Sequence, residues 1–154
     1  MPLQKSFALL ILLTLLSCNN NAVTIQFDKD FKDNRWPQSD LKTYEFTITD
    51  ATKNYDLIFD FSHVDGYQFP TVPIKIEIEN PDKTVTLKNF ALEIKDPTGK
   101  QTGQCDGDYC DISYPVFTNT NLKAGVYKVK ISNSFPTGYL PNIIGIGIRV
   151  NKTE

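Results

Sequence analysis

Two neighbouring cysteines and a lone histidine are the side chains of the central sequence best suited to chemistry. Cys105 and Cys110 are separated by four residues. If the chain is exported, oxidising surroundings favour a disulfide between them, and because the closed loop is short, its expected contribution to stability is small. The spacing differs from the Cys-x-x-Cys redox motif. A zinc site would need two ligands besides the cysteines, and His63 alone cannot supply both. The sequence therefore predicts a Cys105–Cys110 disulfide.

The other polar residues form no recognisable catalytic set. His63 precedes an Asp-Gly pair, so we expect it at a turn, in a solvated or structural role. Asp106, Asp108 and Asp111 are spaced like the start of a calcium-binding loop, but the glycine and glutamate that would complete an EF-hand are missing. We therefore expect a solvated acidic turn, no enzyme activity, no metal and no cofactor.

Composition indicates one globular domain with little affinity for nucleic acid. The 154 residues are 40% hydrophobic and 22% charged, close to the averages of globular domains. Sixteen basic and eighteen acidic residues leave a formal charge of −2. A protein that binds nucleic acid needs a basic face to neutralise phosphates, so this class is disfavoured.

The first residues are typical of a bacterial lipoprotein signal. Lys5 provides a positive start, and residues 7–16 form an apolar run that is too short to span a bilayer. Leu15-Leu16-Ser17-Cys18 then has the order of a lipobox. We expect residues 1–17 to be removed, Cys18 to be lipidated, residues 18–24 to form a tether and residues 25–154 to form the folded domain. An ordinary secretory peptide with an accidental cysteine is the alternative.

Lipidation would hold the chain on a membrane. Three acyl chains on Cys18 exceed what stable anchoring requires, since each buried CH₂ contributes about 0.8 kcal/mol. Asn19-Asn20-Asn21 follows, without the aspartate that directs retention at the inner membrane or the charged motif that directs surface export. The predicted location is the cell envelope, at the outer membrane facing the periplasm.

Hydrophobic alternation predicts the fold. Apolar residues recur at every second position, as expected for strands with one buried face, and turn residues separate these segments. Seven or eight such strands predict a single all-β domain, an antiparallel β-sandwich of jelly-roll or immunoglobulin-like topology. The predicted inward positions are Tyr44, Phe46, Ile48, Tyr55, Leu57, Phe59, Phe61, Val72, Ile74, Ile76, Ile78, Tyr127, Val129, Ile131, Ile144, Ile146, Ile148 and Val150.

Three details of the pattern predict local features. A change of phase between Val85 and Ile94 predicts a bulge near residues 88–89. Pro73, at an outward position, favours an edge position for its strand. Gly145 and Gly147 leave one face of the last strand bare, so another group can pack closely there.

Several aromatic residues fall in predicted loops. Trp36, Tyr67, Tyr109, Tyr114 and Tyr139 could stack on sugars or anchor a partner protein. For Trp36 we favour a structural alternative, in which the indole packs over the edge of the sandwich.

Three segments resemble the gliding motility lipoprotein GldH family of Bacteroidetes-type bacteria. Asn34-Arg35-Trp36-Pro37-Gln38-Ser39-Asp40 is similar to the opening element of that family, Asp96-Pro97-Thr98-Gly99-Lys100 with Gly107-Asp108-Tyr109 to its central signature, and Gly145-Ile146-Gly147-Ile148-Arg149-Val150 to its closing strand. Gln101-Thr102 stands where the family commonly has a large aromatic residue. The cysteine pair looks like a local addition.

The resemblance implies a membrane-anchored, non-catalytic accessory of the gliding machinery, which in these bacteria is tied to the type IX secretion apparatus. The partners it implies are the membrane, through Cys18, and envelope proteins of that apparatus. Because no catalytic residues are known for the family, none are carried over. A carbohydrate-binding lipoprotein of a glycan-uptake system is the alternative, and a periplasmic hydrolase is a weaker one. The candidate partner-binding residues are Arg35, Trp36, Asp96, Lys100 and Tyr109.

Overall fold

The computed structural model describes residues 21–153, and these form an antiparallel β-sandwich, as the sequence predicts. Eight strands have seven or more residues, and three have two or three. The strands are β1 (Ala22–Asp28), β2 (Trp36–Pro37), β3 (Lys42–Ile48), β4 (Asn54–Val64), β5 (Thr71–Glu79), β6 (Val85–Glu93), β7 (Gln104–Asp106), β8 (Tyr109–Asn121), β9 (Gly125–Asn133), β10 (Tyr139–Leu140) and β11 (Ile143–Lys152). A single 3₁₀ turn spans Lys32–Asn34.

Two sheets enclose the core. One sheet has the order β1-β11-β4-β8-β7, the other has the order β3-β9-β5-β6, and the short ribbon β2-β10 closes one end. Every predicted inward position except Ile144 is buried, and these side chains form one hydrophobic cluster between the sheets. Alternation therefore identified the core-facing side of each main strand, because side chains in a strand point alternately to its two faces.

Ile144 is the exception, because β11 is irregular at its start. The pairing of β11 with β4 shifts register between Ile143 and Gly145. Ile143 therefore takes the inward position and is fully buried, whereas Ile144 is half-buried.

The predicted bulge near residues 88–89 is wrong. Strand β6 pairs with β5 without interruption, from Thr71 opposite Glu93 to Glu79 opposite Val85. The change of phase has another cause: the first half of this edge strand is exposed on both faces. Val85 and Leu87 are simply apolar residues on the outward face.

The edge position predicted from Pro73 is also wrong, because β5 lies between β9 and β6. The ladder with β9 begins one residue later, at Ile74 opposite Asn133. The Pro73 carbonyl accepts a hydrogen bond from the Ser134 N–H at 3.3 Å, just outside that ladder. An interior strand tolerates this proline because no ladder donor is required at its position.

The close packing predicted over Gly145 and Gly147 is present. A Cβ atom at Gly145 would overlap Cε1 of Phe27, and one at Gly147 would lie 2.6 Å from Cδ2 of the same ring. Phe27 of β1 therefore rests on bare backbone of β11. Side chains at either glycine would displace this ring.

The sandwich has two ends with different loops. At the near end, where β1 begins, lie residues 49–53, 80–84 and 122–124 and the end of β11. At the far end lie residues 29–41, 65–70, 94–103 and 134–142 and the β7–β8 turn. Antiparallel pairing thus brings together loops that are remote in sequence.

Candidate functional site

The five candidate partner-binding residues all belong to the far end. Arg35 and Trp36 lie in the connection between β1 and β3, Asp96 and Lys100 lie between β6 and β7, and Tyr109 begins β8. The fold therefore places two segments that carry the family resemblance on one end of the domain. Their roles there differ, because some of these side chains are exposed and others are buried.

Trp36 is a core residue and has no exposed surface. Its Nε1–H donates to the Asp40 carbonyl at 2.8 Å, and the ring of Phe31 packs against it edge-on at 6.3 Å. The Trp36 carbonyl accepts a hydrogen bond from the buried Asn133 side chain at 3.1 Å. The structural role that we favour for Trp36 is therefore confirmed, with the indole inside the end of the sandwich and not over its edge. As a candidate partner-binding residue Trp36 is corrected, because its buried indole cannot touch a partner while this fold is intact.

Arg35 is exposed beside that buried tryptophan. Its guanidinium carbon lies 4.9 Å from the centroid of the Tyr139 ring, a cation–π distance. The β2–β10 pairing fixes this contact by placing Tyr139 opposite Pro37 and Leu140 opposite Trp36. A positive, aromatic-backed side chain is therefore presented to solvent.

Residues 96–100 form a turn that the Asp96 carboxylate holds together. Its Oδ1 accepts hydrogen bonds from the Thr98 hydroxyl at 2.6 Å, the Thr98 N–H at 2.8 Å and the Lys100 N–H at 3.0 Å. The hydroxyl contact, followed by the backbone contacts, lowers the pKa of Asp96. Gly99 has φ +86°, a conformation that glycine adopts without strain. Asp96 therefore shapes the turn, and Lys100 is its exposed charge.

The β7–β8 hairpin carries the disulfide that the sequence predicts. Cys105 and Cys110 pair directly across the hairpin, with their Cα atoms 3.9 Å apart. Gly107 occupies the tip with φ +61°, again a glycine conformation. Tyr109 lies next to the bridge and is exposed. The bridge restrains the backbone from which this tyrosine projects.

The loop of residues 65–70 joins these parts. Its Asp65 N–H donates to the Asp108 carbonyl at 2.9 Å, and its Pro70 carbonyl accepts from the Ile94 N–H at 2.8 Å. Gln68 accepts from the Asn142 side chain at 3.1 Å. The hairpin, the β6–β7 connection (residues 94–103) and the β9–β11 connection are therefore tied to one loop. The far end is a connected surface and not a set of independent loops.

His63 lies beneath this loop, in β4 and not at the predicted turn. It is fully buried, with its ring 5.0 Å from that of Tyr67. Its Nδ1 is 2.8 Å from the Val64 carbonyl oxygen. Burial is the main cause that lowers the pKa of His63. The neutral ring is thus a core group.

This burial predicts a stability that depends on pH. Unfolding exposes His63 and restores an ordinary pKa of about 6.5, so the unfolded chain binds a proton that the folded chain resists. The contribution of neutral His63 to the free energy of unfolding should therefore be complete above that pH, and it should decrease as the pH falls below it. Because His63 is the only histidine, urea unfolding of His63→Phe should show a flatter dependence between about pH 7.5 and 5.5. An equal slope in both proteins would contradict the prediction.

A groove that sequence reasoning missed lies on the outer face of the β1-containing sheet. It has a volume of about 620 Å³, and Phe27, Ile144 and Tyr109 contribute apolar walls. In its floor, Arg149 Nε and Nη2 donate to the two carboxylate oxygens of Asp60 at 2.6 and 2.9 Å. Four strands contribute to it, so only their pairing could reveal it.

The predicted lipidation site, Cys18, lies outside the described residues. Strand β1 already begins at Ala22, within the predicted tether, and the Lys152 N–H donates to the Asn21 carbonyl at 2.7 Å. Only residues 19–21 therefore separate Cys18 from the first strand. Within residues 21–153, no helix is long and apolar enough to cross a membrane.

This architecture defines a class: a small antiparallel β-sandwich with a connected loop surface at one end. Comparison with known families then identifies the chain. Residues 24–150 match the model of the family described as "GldH lipoprotein". Because this match covers most of the chain, the chain belongs to the GldH lipoprotein family.

Two relatives support this assignment. The chain is 23% identical over 146 residues to the "Gliding motility lipoprotein GldH homolog" of Christiangramia forsetii, with coverage of 90% of this chain and 88% of the relative. It is also 23% identical over 160 aligned positions to the "Gliding motility lipoprotein GldH" of Flavobacterium johnsoniae, with coverage of 98% of each. No solved structure matches the chain.

Proposed function

We propose that this protein is a lipid-anchored, non-catalytic accessory of the bacterial gliding machinery that acts by binding other proteins at the cell envelope. The observation that carries the proposal is membership of the GldH lipoprotein family over residues 24–150. Relatives named for gliding motility, aligned over nearly their whole length, support it. The proposed partners are envelope proteins of the gliding and type IX secretion apparatus.

The far end is the proposed binding surface. Arg35, Lys100 and Tyr109 are exposed there, whereas Trp36 and Asp96 position the chain around them. Arginine and tyrosine are enriched among residues that dominate protein interfaces. Connected loops that are already hydrogen-bonded lose less conformational entropy on binding than free loops do. These features support a preorganised protein-binding surface.

The proposed location is the outer membrane, with the domain facing the periplasm. Cys18 would carry the lipid, and three polar residues would join it to β1. Such a short connection keeps the domain close to the bilayer. Proteolysis of intact and permeabilised cells would separate a periplasmic domain from a surface-exposed one.

Removing two of the exposed far-end cations, Arg35 and Lys100, should weaken gliding without unfolding the protein. If Arg35 and Lys100 contact a partner, their truncation to alanine should weaken its binding roughly tenfold, by about 1.4 kcal/mol. The assay is surface spreading of a gliding bacterium whose own gene is deleted and which is complemented with each variant. Lys53→Ala/Lys88→Ala is the matched control, because it removes two exposed charges away from the far end.

Two results would contradict the proposal at different levels. Normal spreading of the clean deletion strain would exclude the gliding function. Loss of spreading in the deletion strain, with full rescue by Arg35→Ala/Lys100→Ala, would retain the function and exclude these residues from the binding surface. Thermal melting of each variant must accompany the assay, so that a folding defect is not taken for a binding defect.

The groove favours one second function, binding of a neutral carbohydrate. Its aromatic walls can stack on a sugar ring, and its floor combines hydroxyl, carboxylate and guanidinium groups of Ser113, Asp60 and Arg149 that can bond sugar hydroxyls. A glycan array tests this alternative directly. Specific binding that Tyr109→Ala removes would support it over the gliding assignment.

A further inference from the structure

Strand β1 has an inverted distribution of polar and apolar side chains. Val23, Ile25 and Phe27 point outward and are 38%, 65% and 37% exposed. Thr24, Gln26 and Asp28 occupy the other face and are half-buried. Three of the eight exposed large hydrophobic residues in the described part of the chain thus fall within five positions. We call Val23, Ile25 and Phe27 the β1 strip.

The polar face of β1 is fixed inward by specific contacts. Gln26 Nε2 donates to the Glu45 carbonyl of β3 at 2.6 Å, and the Tyr44 hydroxyl donates to Asp28 at 2.9 Å. Phe27 is also held against Gly145 and Gly147. A rotation that buried the strip would break these contacts, so the strip stays outward.

The short distance between the strip and the predicted lipid on Cys18 indicates which partner can cover the strip. Five residue steps separate Cys18 from Val23, and seven separate it from Ile25. At about 3.3–3.6 Å per residue, these steps span at most roughly 18 and 25 Å. The strip is therefore held close to the membrane surface for as long as Cys18 carries its acyl chains.

We propose that the β1 strip lies in the interface of the bilayer to which Cys18 is anchored. This inference rests on the proposed lipidation. A row of apolar side chains beside an acyl anchor lowers its free energy when it leaves water for the headgroup–acyl boundary.

A cationic residue at one end of the strip fits the same occupant. Lys29 follows the strip, with Nζ 5.9 Å from the Phe27 ring centroid. Lysines that flank apolar residues extend their amines to lipid phosphates. Asp28, the acidic side chain within β1, is turned inward to Tyr44.

The test uses the full lipidated chain reconstituted in phosphatidylcholine vesicles. Ile25→Cys is labelled with an environment-sensitive fluorophore, and lipids brominated along the acyl chain serve as quenchers. Leu87→Cys is the matched control, because Leu87 is 54% exposed on an edge strand of the opposite sheet. The native cysteines do not compete for label, since two are disulfide-bonded and Cys18 is acylated.

We expect a blue shift and a loss of fluorescence at position 25 with brominated lipid, and neither at position 87. Unquenched fluorescence at both positions would overturn the inference. That result would favour a different role for the strip, such as pairing with a strand of a partner protein. Equal quenching at both would also overturn it, because the domain would then have no fixed contact with the bilayer. Flotation of the same vesicles separates the two proposals: protein that does not float refutes the lipid anchor itself.

Discussion

Replacing Trp36 with alanine should lower the free energy of unfolding by about 3–5 kcal/mol, the range for removing a fully buried large aromatic side chain. The indole has no exposed surface, packs against Phe31, and satisfies the Asp40 carbonyl through its N–H. Its loss would leave a cavity and a carbonyl without its partner. Because domains are stable by only about 5–15 kcal/mol, the loss is a large share of the total. Urea unfolding of the purified proteins measures it.

Arg35→Ala is the control for Trp36→Ala, because it truncates the adjacent, exposed residue. Surface substitutions usually change stability by less than about 0.5 kcal/mol, so this variant should unfold like the parent. The two variants then separate stability from binding. Equal unfolding midpoints for Trp36→Ala and the parent protein would show that the indole is not a core residue.

Replacing Cys18 with alanine should abolish membrane anchoring and, with it, the proposed function. In the proposed anchoring, the Cys18 thiol carries the lipid and is acylated before the leader is cleaved. We expect an uncleaved or soluble form that incorporates no radiolabelled palmitate. Complementation of a deletion strain with Cys18→Ala should fail to restore spreading even though the domain folds.

The matched control for Cys18 is Cys105→Ala/Cys110→Ala. It removes the two other cysteines but keeps the lipobox, so palmitate should still be incorporated. Because the disulfide closes only a short loop, its removal should lower the free energy of unfolding only slightly. Palmitate that enters Cys18→Ala at the parent level would refute the lipid anchor. If only the double variant lost the label, the acylated cysteine would lie in the hairpin and not in the leader.

Local sequence patterns predicted the class of fold because they report local geometry. A strand turns each side chain to the opposite face, so the alternation around Phe59 or Ile76 identifies a buried face without knowledge of the neighbouring strand. The cysteine pair was also a local feature, since its residues face each other across one hairpin. The three family-like segments depended on residue identity alone, and the family match over residues 24–150 confirms the family they indicate.

Features that depend on distant residues were missed or wrong. Pro73 suggested an edge strand, but the place where β9 stops pairing decides whether its missing N–H matters. Val85 and Leu87 suggested a bulge, because alternation does not show that an edge strand is exposed on both faces. His63 looked like a turn residue, although the loop of residues 65–70 brings Tyr67 back over it.

By itself, the sequence determined the all-β class, the inward faces of the main strands and the family. Only the tertiary structure decided which residues are surface and which are core at the far end. Asn133, 97 positions away, donates a hydrogen bond to the backbone carbonyl of the buried Trp36. Arg35, Lys100 and Tyr109 share an exposed end because antiparallel strands return their loops there. Burial is a property of all the groups that pack around a side chain, and those groups are brought together by folding.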